Sequence, residues 1–288
     1  MKKELIRIAF TLSLIVMIAG CSSSTNSSSD DKGTITIGYN NFSETIAVVN
    51  VWKQILEDQG YDVDLTQTEK GPLFAALSQG DVDINAEVWL PSTDKSYVDE
   101  YKDKIVQHEA WYEDTTIGLA VPEYVDIDSI ADLNDHKEEF NGQIVGIDPG
   151  ASIMKATEQL MDKYDLDYNV IESSDAAMTA ELKKSYEAKE PIVVTLWEPH
   201  WAFARWDLKF LDDPKNVYGD PDKMYWFSRE GFEADFPEVT KWFNQWYMSH
   251  EQLGDLMNVI EKNDNQAKKG AKQWLDNNQD LVDEWTKS

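Results

Sequence analysis

Cysteine and histidine are scarce in this chain of 288 residues, which has one cysteine and four histidines. The single cysteine, Cys21, excludes an internal disulfide, so non-covalent interactions must hold the fold together. The histidines show no metal-site spacing such as His-Glu-x-x-His, and no serine occupies a Gly-x-Ser-x-Gly elbow. These absences count against an exported hydrolase, and we expect no catalytic residue, no metal and no cofactor. The four histidines are His108, His136, His200 and His250.

Basic side chains are also few, with 26 Lys and Arg against 54 Asp and Glu and a formal net charge of −28. A surface of this sign repels the phosphate backbone, so nucleic acid is not an expected partner. The charge suits solubility in salty surroundings, where ions screen the self-repulsion of the surface. It does not identify a ligand, because it belongs to the whole surface.

Long apolar runs are absent beyond the N-terminus. The only such run covers residues 8–19 and follows three basic residues. This arrangement is typical of an export signal, which we predict over residues 1–20. No other stretch approaches the ~20 apolar residues of a membrane span.

The predicted signal ends in Ile18-Ala19-Gly20-Cys21, which resembles a bacterial lipobox. The resemblance implies cleavage before Cys21 and transfer of a diacylglycerol to its thiol. Residues 22–33 have no large apolar side chain and are typical of a flexible tether, which does not fit the alternative of a buried free thiol. We expect residues 21–33 to anchor the protein to the extracellular face of the cell membrane.

Two similar series of strands and helices follow the tether. The first predicts strands at 34–39, 61–66 and 82–88, and the second predicts strands at 143–147, 169–172 and 191–196, with helices between them. Two such series indicate an α/β protein with two lobes that face each other across a cleft, at the carboxyl ends of the strands. We predict lobe 1 over residues 34–120, lobe 2 over 121–222 and a helical tail over 223–288 that returns to lobe 1.

Three aromatic residues, Phe42, Trp89 and Trp197, follow directly on predicted strands. At that end of a sheet their rings would surround a void in the cleft. The negative face of each ring attracts a cation by roughly 0.5–2 kcal/mol, which suits a trimethylammonium group. Three aromatic residues packed in the cores would give the same pattern. Aromatic residues at helical spacing, such as Trp242 and Trp246, are assigned to packing.

A turn at residues 149–152 leads from a predicted strand into a helix. Free backbone N–H groups and the positive end of the helix dipole bind an anion at such a position, and the carboxylate of a betaine is one such anion. An ordinary connection between a strand and a helix has the same pattern.

Six segments within residues 34–288 resemble the glycine-betaine-binding proteins of osmoprotectant ABC importers. They are Gly60-Tyr-Asp-Val63, Glu87-Val-Trp-Leu-Pro91, Gly146-Ile-Asp-Pro-Gly150, Ala176-Ala-Met-Thr-Ala180, Lys189-Glu-Pro-Ile192 and Trp197-Glu-Pro-His-Trp201. The resemblance implies a two-lobed periplasmic-binding-protein fold, type II-like, that closes over its ligand. It also implies a receptor, not an enzyme, that delivers a quaternary ammonium solute to permease and ATPase subunits.

The same resemblance assigns the aromatic box to Phe42, Trp89 and Trp197, and the amides that hold the betaine carboxylate to Ser152 and Ile153. Phe42 stands where close relatives have tryptophan. These positions favour glycine betaine, with choline or carnitine as the alternative ligands.

Four acids and one histidine near these positions are candidate rim residues. Asp94 stands where relatives have histidine, and either it or Glu44 would accept the hydroxyl of choline. We expect Glu87 and Glu198 to be solvated rim charges and His200 to be a hydrogen-bonding rim residue. A surface adhesin or structural lipoprotein remains a second rival, because a fold does not determine a function.

Replacing Cys21→Ala should release the protein from the membrane fraction into the medium, because the lipid anchor would be lost. Fractionation of cells that produce the parent and the variant measures this. Mass spectrometry that finds an unmodified thiol on the mature parent protein would contradict the prediction.

Overall fold

The computed structural model describes residues 32–113, 115–263 and 266–287. The predicted signal, Cys21 and all but the last two residues of the tether lie outside the described residues. The first part of the chain contains β1 (Thr34–Tyr39), α1 (Ser43–Asp58), β2 (Asp62–Gln67), α2 (Lys70–Gln79), β3 (Ile84–Leu90), α3 (Lys95–Tyr101) and β4 (Ile105–Tyr112).

A second series of elements follows. It contains β5 (Thr116–Pro122), a 3-10 helix (Ile130–His136), β6 (Gln143–Val145), α4 (Ser152–Tyr164), β7 (Asn169–Ile171), α5 (Asp175–Ala188), β8 (Val194–Glu198), α6 (Trp201–Arg205) and β9 (Leu208–Phe210). The last part of the chain contains β10 (Lys223–Arg229), α7 (Phe232–Asp235), α8 (Pro237–Gln245), α9 (His250–Lys262), α10 (Ala267–Asn277) and α11 (Gln279–Trp285).

The strands form two sheets of the same construction, one in each lobe. Their strand orders are β2-β1-β3-β10-β4 and β7-β6-β8-β5-β9. In each sheet three parallel strands lie beside an antiparallel strand, which is β10 in the first sheet and β5 in the second. Helices cover the sheets, and β3 is buried along almost its whole length, as expected for a central strand of such a sheet.

The structure corrects the predicted lobe boundaries. All of β5 belongs to the second sheet, so the chain leaves the first lobe before Thr116 and not after residue 120. The segment predicted as a helical tail from residue 223 begins with β10, which pairs with β3 and β4 in the first sheet. Local sequence pattern does not reveal this pairing, because β10 lies more than a hundred residues from both partners.

The two segments that cross between the sheets are bonded to each other at Thr115 and Asp222. The Thr115 Oγ1 hydroxyl donates to the Asp222 carbonyl at 2.8 Å and accepts from the Asp222 N–H at 3.0 Å. The Asp222 carboxylate accepts the backbone N–H groups of Ser92 and Thr93 at 2.6 and 2.8 Å. This junction fixes the loop that follows β3.

Aromatic rings pack the C-terminal helices onto the first lobe. Trp52 of α1 stacks on Phe243 of α8 with ring centroids 3.9 Å apart, and it meets Trp246 edge-on at 5.5 Å. All three rings are buried. These helices therefore support α1, whose first turn faces the site described below.

Candidate functional site

A cavity with an empty volume of about 340 Å³ lies between the two lobes. Part of this volume is open to solvent, so the enclosed space is smaller still and suits a small ligand. All five residues predicted to bind a ligand line this cavity. They are Phe42, Trp89, Trp197, Ser152 and Ile153.

The three predicted rings come from different elements of both lobes. Phe42 precedes α1, while Trp89 and Trp197 are the penultimate residues of β3 and β8. The two tryptophans therefore lie within the strand ends, and not after them as predicted. Phe42 meets Trp197 edge-on, with ring centroids 5.4 Å apart and an interplanar angle of 64°. Aromatic rings from both lobes thus line one cavity.

A buried carboxylate accepts the indole N–H of each tryptophan. Trp89 Nε1 donates to Glu87 at 2.7 Å within the first lobe. Trp197 Nε1 donates across the cavity to Glu44 at 2.8 Å. Each bond fixes the direction in which the ring faces the cavity.

These two carboxylates lie away from solvent, with Glu44 1% and Glu87 2% exposed. Burial raises the pKa of Glu44 well above its usual value, and repulsion by Glu87 adds to the shift. Burial also raises the pKa of Glu87, although attraction by Lys70 opposes it. The expectation that Glu87 is a solvated rim charge was wrong. Glu198, for which the same was expected, is half-buried.

Asp94 and Lys70 form a buried ion pair beside the box, with 2.9 Å between Asp94 Oδ2 and Lys70 Nζ. Asp94 is fully buried and Lys70 is 5% exposed. Burial acts to lower the pKa of Lys70, but attraction by Asp94 and Glu87 outweighs it and leaves the pKa raised. Lys70 was not predicted as a site residue, since a lysine at the start of a helix carries no sequence signal of burial.

Asp94 also joins the two lobes. Its carboxylate accepts the Trp89 N–H at 2.9 Å and the Ser152 Oγ hydroxyl at 2.7 Å. Asp94 was predicted as a rim residue, but the structure places it at the centre of a buried network that includes the cavity wall.

His200 lies behind Trp197 and does not line the cavity, which corrects its prediction as a rim residue. Its Nδ1 accepts the Ala202 N–H at 3.0 Å, so Nε2 carries the proton and donates to Asp175 at 3.1 Å. The imidazole meets Trp197 edge-on, with centroids 4.8 Å apart. His200 therefore supports the position of this ring.

The start of α4 presents free backbone donors to the cavity. Ala151, at the N-cap, provides no side-chain acceptor, and the first turn contains no acidic residue. Within the described parts of the chain, the N–H groups of Ser152 and Ile153 have no hydrogen-bond acceptor. Together with the positive end of the helix dipole, they are suited to hold a carboxylate.

No group of three His, Cys, Asp or Glu residues in the described ranges is arranged to hold a metal ion. Among the helices that the structure describes, none combines the length and apolar character needed to cross a membrane.

Replacing Lys70→Met should destabilise the fold by about 3–5 kcal/mol, because it leaves the carboxylate of Asp94 buried without its cation. The double variant Lys70→Met, Asp94→Asn should recover part of this loss. Urea unfolding measures both. Lys95→Met is the matched control, because Lys95 and Asp99 form an ion pair that is 61% and 60% exposed and should contribute at most ~1 kcal/mol. Equal losses in the free energy of unfolding for Lys70→Met and Lys95→Met would contradict the prediction.

Comparison with known proteins identifies the family of the chain. The family model "Substrate binding domain of ABC-type glycine betaine transport system" matches residues 33–277. The glycine betaine/carnitine transport binding protein GbuC of Listeria monocytogenes is 42% identical over 153 residues. That match covers 52% of this chain and only 50% of GbuC.

Two solved structures extend the comparison to most of the chain. The glycine betaine/L-proline-binding protein ProX of Borrelia burgdorferi is 34% identical, with a TM-score of 0.84 over 88% of this chain and 96% of that one. Lactococcal OpuAC, in its closed conformation with glycine betaine, is 30% identical, with a TM-score of 0.83 over 88% of this chain and 100% of that one. The two-lobed fold predicted from the sequence is confirmed. The chain belongs to the family of substrate-binding domains of ABC-type glycine betaine transport systems, whose members are transport proteins and not enzymes.

Proposed function

We propose that this protein binds glycine betaine, or a closely related betaine, between its lobes and delivers it to the permease and ATPase subunits of an ABC importer. One observation carries the proposal. A single cavity joins three aromatic rings from both lobes to the free N–H groups at the start of α4. These are complementary to the two ends of a betaine.

The cationic head is held by Phe42, Trp89 and Trp197. A trimethylammonium group cannot donate a hydrogen bond, so ring faces can attract it without leaving a donor unpaired. Trp89 and Trp197 are held in place by hydrogen bonds from their indole N–H groups. Phe42 offers a smaller and less electron-rich face than tryptophan, so it attracts the cationic head least strongly of the three residues.

The carboxylate is held by the backbone N–H groups of Ser152 and Ile153. Hydrogen bonds to a charged acceptor are stronger than those to a neutral one, and the helix dipole adds to them. The Ser152 hydroxyl donates its hydrogen bond to Asp94, so the backbone N–H groups are the donors that remain for the ligand. Its own charge is offset by Lys70, so it does not repel a carboxylate as an isolated acid would.

Binding is coupled to closure of the lobes. Phe42 and Trp89 belong to the first lobe, whereas Trp197, Ser152 and Ile153 belong to the second. Only the closed arrangement offers both halves of the site, and this difference in affinity shifts the equilibrium toward it. The closed, ligand-bound protein then docks on the importer and delivers the ligand. The lipid on Cys21 holds the protein at the extracellular face of the membrane.

Replacing Trp89→Ala or Trp197→Ala should weaken binding of glycine betaine by about one to two factors of ten, because each removes a desolvated ring face. Phe42→Trp should strengthen binding or leave it unchanged. Calorimetric titration of the full chain measures this, with thermal unfolding to verify the fold. Trp206→Ala removes a ring of the second lobe that does not line the cavity, and it should bind as the parent does. Parent-like binding by Trp197→Ala would refute the assignment of the box.

Glycine betaine should bind more tightly than choline. Choline has the cationic head but no carboxylate, so the N–H groups of Ser152 and Ile153 would stay unpaired at a cost of roughly 1–3 kcal/mol. This corresponds to about one to two factors of ten in affinity. Competitive titration of the parent with choline, glycine betaine and proline betaine measures the order. Choline binding tighter than both betaines would instead favour a choline receptor in which Glu44 accepts the hydroxyl.

A further inference from the structure

The charged groups around the cavity are not evenly paired. Three acids, Glu44, Glu87 and Asp94, line it together with one base, Lys70. Lys70 forms its ion pair with Asp94. One cation is thus shared among three carboxylates, and the two glutamates differ in what compensates them.

Glu87 is well compensated for a buried acid. It accepts hydrogen bonds from the Thr45 hydroxyl and the Trp89 indole, and attraction by Lys70 opposes the rise in its pKa. Each of these interactions favours its ionised form.

Glu44 is less well compensated, because Lys70 attracts it less strongly than it attracts Asp94 and Glu87. Its donors, the Trp197 indole at 2.8 Å, the Ser43 hydroxyl at 3.2 Å and its own backbone N–H, are neutral groups. Glu87 and Asp175 both repel its charge. Across the ranges that the structure describes, no basic side chain forms an ion pair with Glu44. A buried carboxylate in these surroundings is costly to ionise unless a cation comes close to it.

We propose that Glu44 determines selection for a positively charged head, because the ammonium group of the ligand is the counterion that this carboxylate lacks. The inference rests on the proposed function, since it assumes that the head lies among the three rings. Glu44 shares the cavity wall with those rings and is bonded to one of them. An ionised Glu44 also makes the bond to Trp197 charge-assisted, and therefore stronger, when the head is present.

At a pH where the free protein carries a proton on Glu44, binding of the cationic head displaces that proton. Burial, followed by repulsion from Glu87, raises the pKa of Glu44 well above its usual value. A bound cation lowers this pKa again, so the proton leaves as the ligand binds. The groups that face Glu44 are Glu87 from β3, Asp175 from α5 and Lys70 from α2, and His200 lies behind Trp197. Affinity for a cationic head should therefore rise with pH over the range in which Glu44 ionises.

The test compares two ligands of the same shape. In 3,3-dimethylbutanoate a carbon replaces the nitrogen of glycine betaine, so the head is uncharged while the carboxylate is kept. Both ligands are titrated calorimetrically into the full chain, its Glu44→Gln variant and its Glu87→Gln variant. Glutamine keeps an acceptor for the indole N–H in each variant, and the two sites are equally buried, so Glu87→Gln is the matched control.

Glu44→Gln should weaken glycine betaine by about tenfold and leave 3,3-dimethylbutanoate unchanged or tighter. Glu87→Gln should change the ratio of the two affinities less than Glu44→Gln does, because Lys70 and Thr45 already compensate the charge of Glu87. Equal losses for both ligands in Glu44→Gln, or equal changes of the ratio in the two variants, would overturn the proposal.

A second measurement needs no variant. Heats of binding to the parent in phosphate and in Tris, whose ionisation enthalpies differ, report the protons released. Release is expected with glycine betaine and not with 3,3-dimethylbutanoate, and the Glu44→Gln variant should lose it. The titrations are repeated from acidic to neutral pH, and betaine binding to the parent without proton release at every pH overturns the role of Glu44. A parent that binds no betaine refutes the proposed function instead, so the two failures are distinguishable.

Discussion

The buried carboxylate of Asp94 is the group on which the geometry of the cavity depends. It accepts hydrogen bonds from Lys70 and the Trp89 backbone in the first lobe and from Ser152 in the second. An ionised carboxylate is stable away from water only when a cation and several donors surround it. Since one of these donors belongs to the opposite lobe, the full set exists only when the lobes meet. The end of β3 and the start of α4 are thereby held in one arrangement.

The similar construction of the two sheets explains why the aromatic residues meet. In each lobe a tryptophan occupies the penultimate position of the central parallel strand, β3 or β8. The two lobes contribute different further groups to the cavity. The first contributes Phe42 and the buried acids, whereas the second contributes the free N–H groups at the start of α4. A ligand with a cationic head and an anionic end would thus be bound by complementary parts of both lobes.

Glu87 and Glu44 each accept a hydrogen bond from a tryptophan indole, but the two carboxylates differ in their surroundings. Glu87 and Trp89 lie on one strand, so their hydrogen bond is internal to the first lobe. Glu44 reaches Trp197 across the cavity, so its bond also links the lobes. The nearby Lys70 favours the ionised form of Glu87, while Glu87 itself opposes ionisation of Glu44. Of the two glutamates, the one with less compensation is therefore also the one that links the lobes.

Local sequence patterns were sufficient for the class of fold, and they pointed to several residues that line the cavity. Alternation, helical spacing and turn residues are short-range features, so they indicated two α/β series, the aromatic residues at the strand ends and the turn before α4. The resemblance of six short segments then identified the family. Phe42, Trp89, Trp197, Ser152 and Ile153 were all predicted in this way, and the structure brings them to one cavity.

The tertiary structure decided what depends on distant neighbours. The pairing of β10 between β3 and β4, the burial of Glu87, the ion pair of Lys70 with Asp94 and the place of His200 behind Trp197 were not predicted. Whether a charged side chain is solvated or buried depends on the segments that pack over it, and those segments are remote in the chain. The sequence alone thus indicated which aromatic residues line the cavity, and only the folded chain determined which charges surround them.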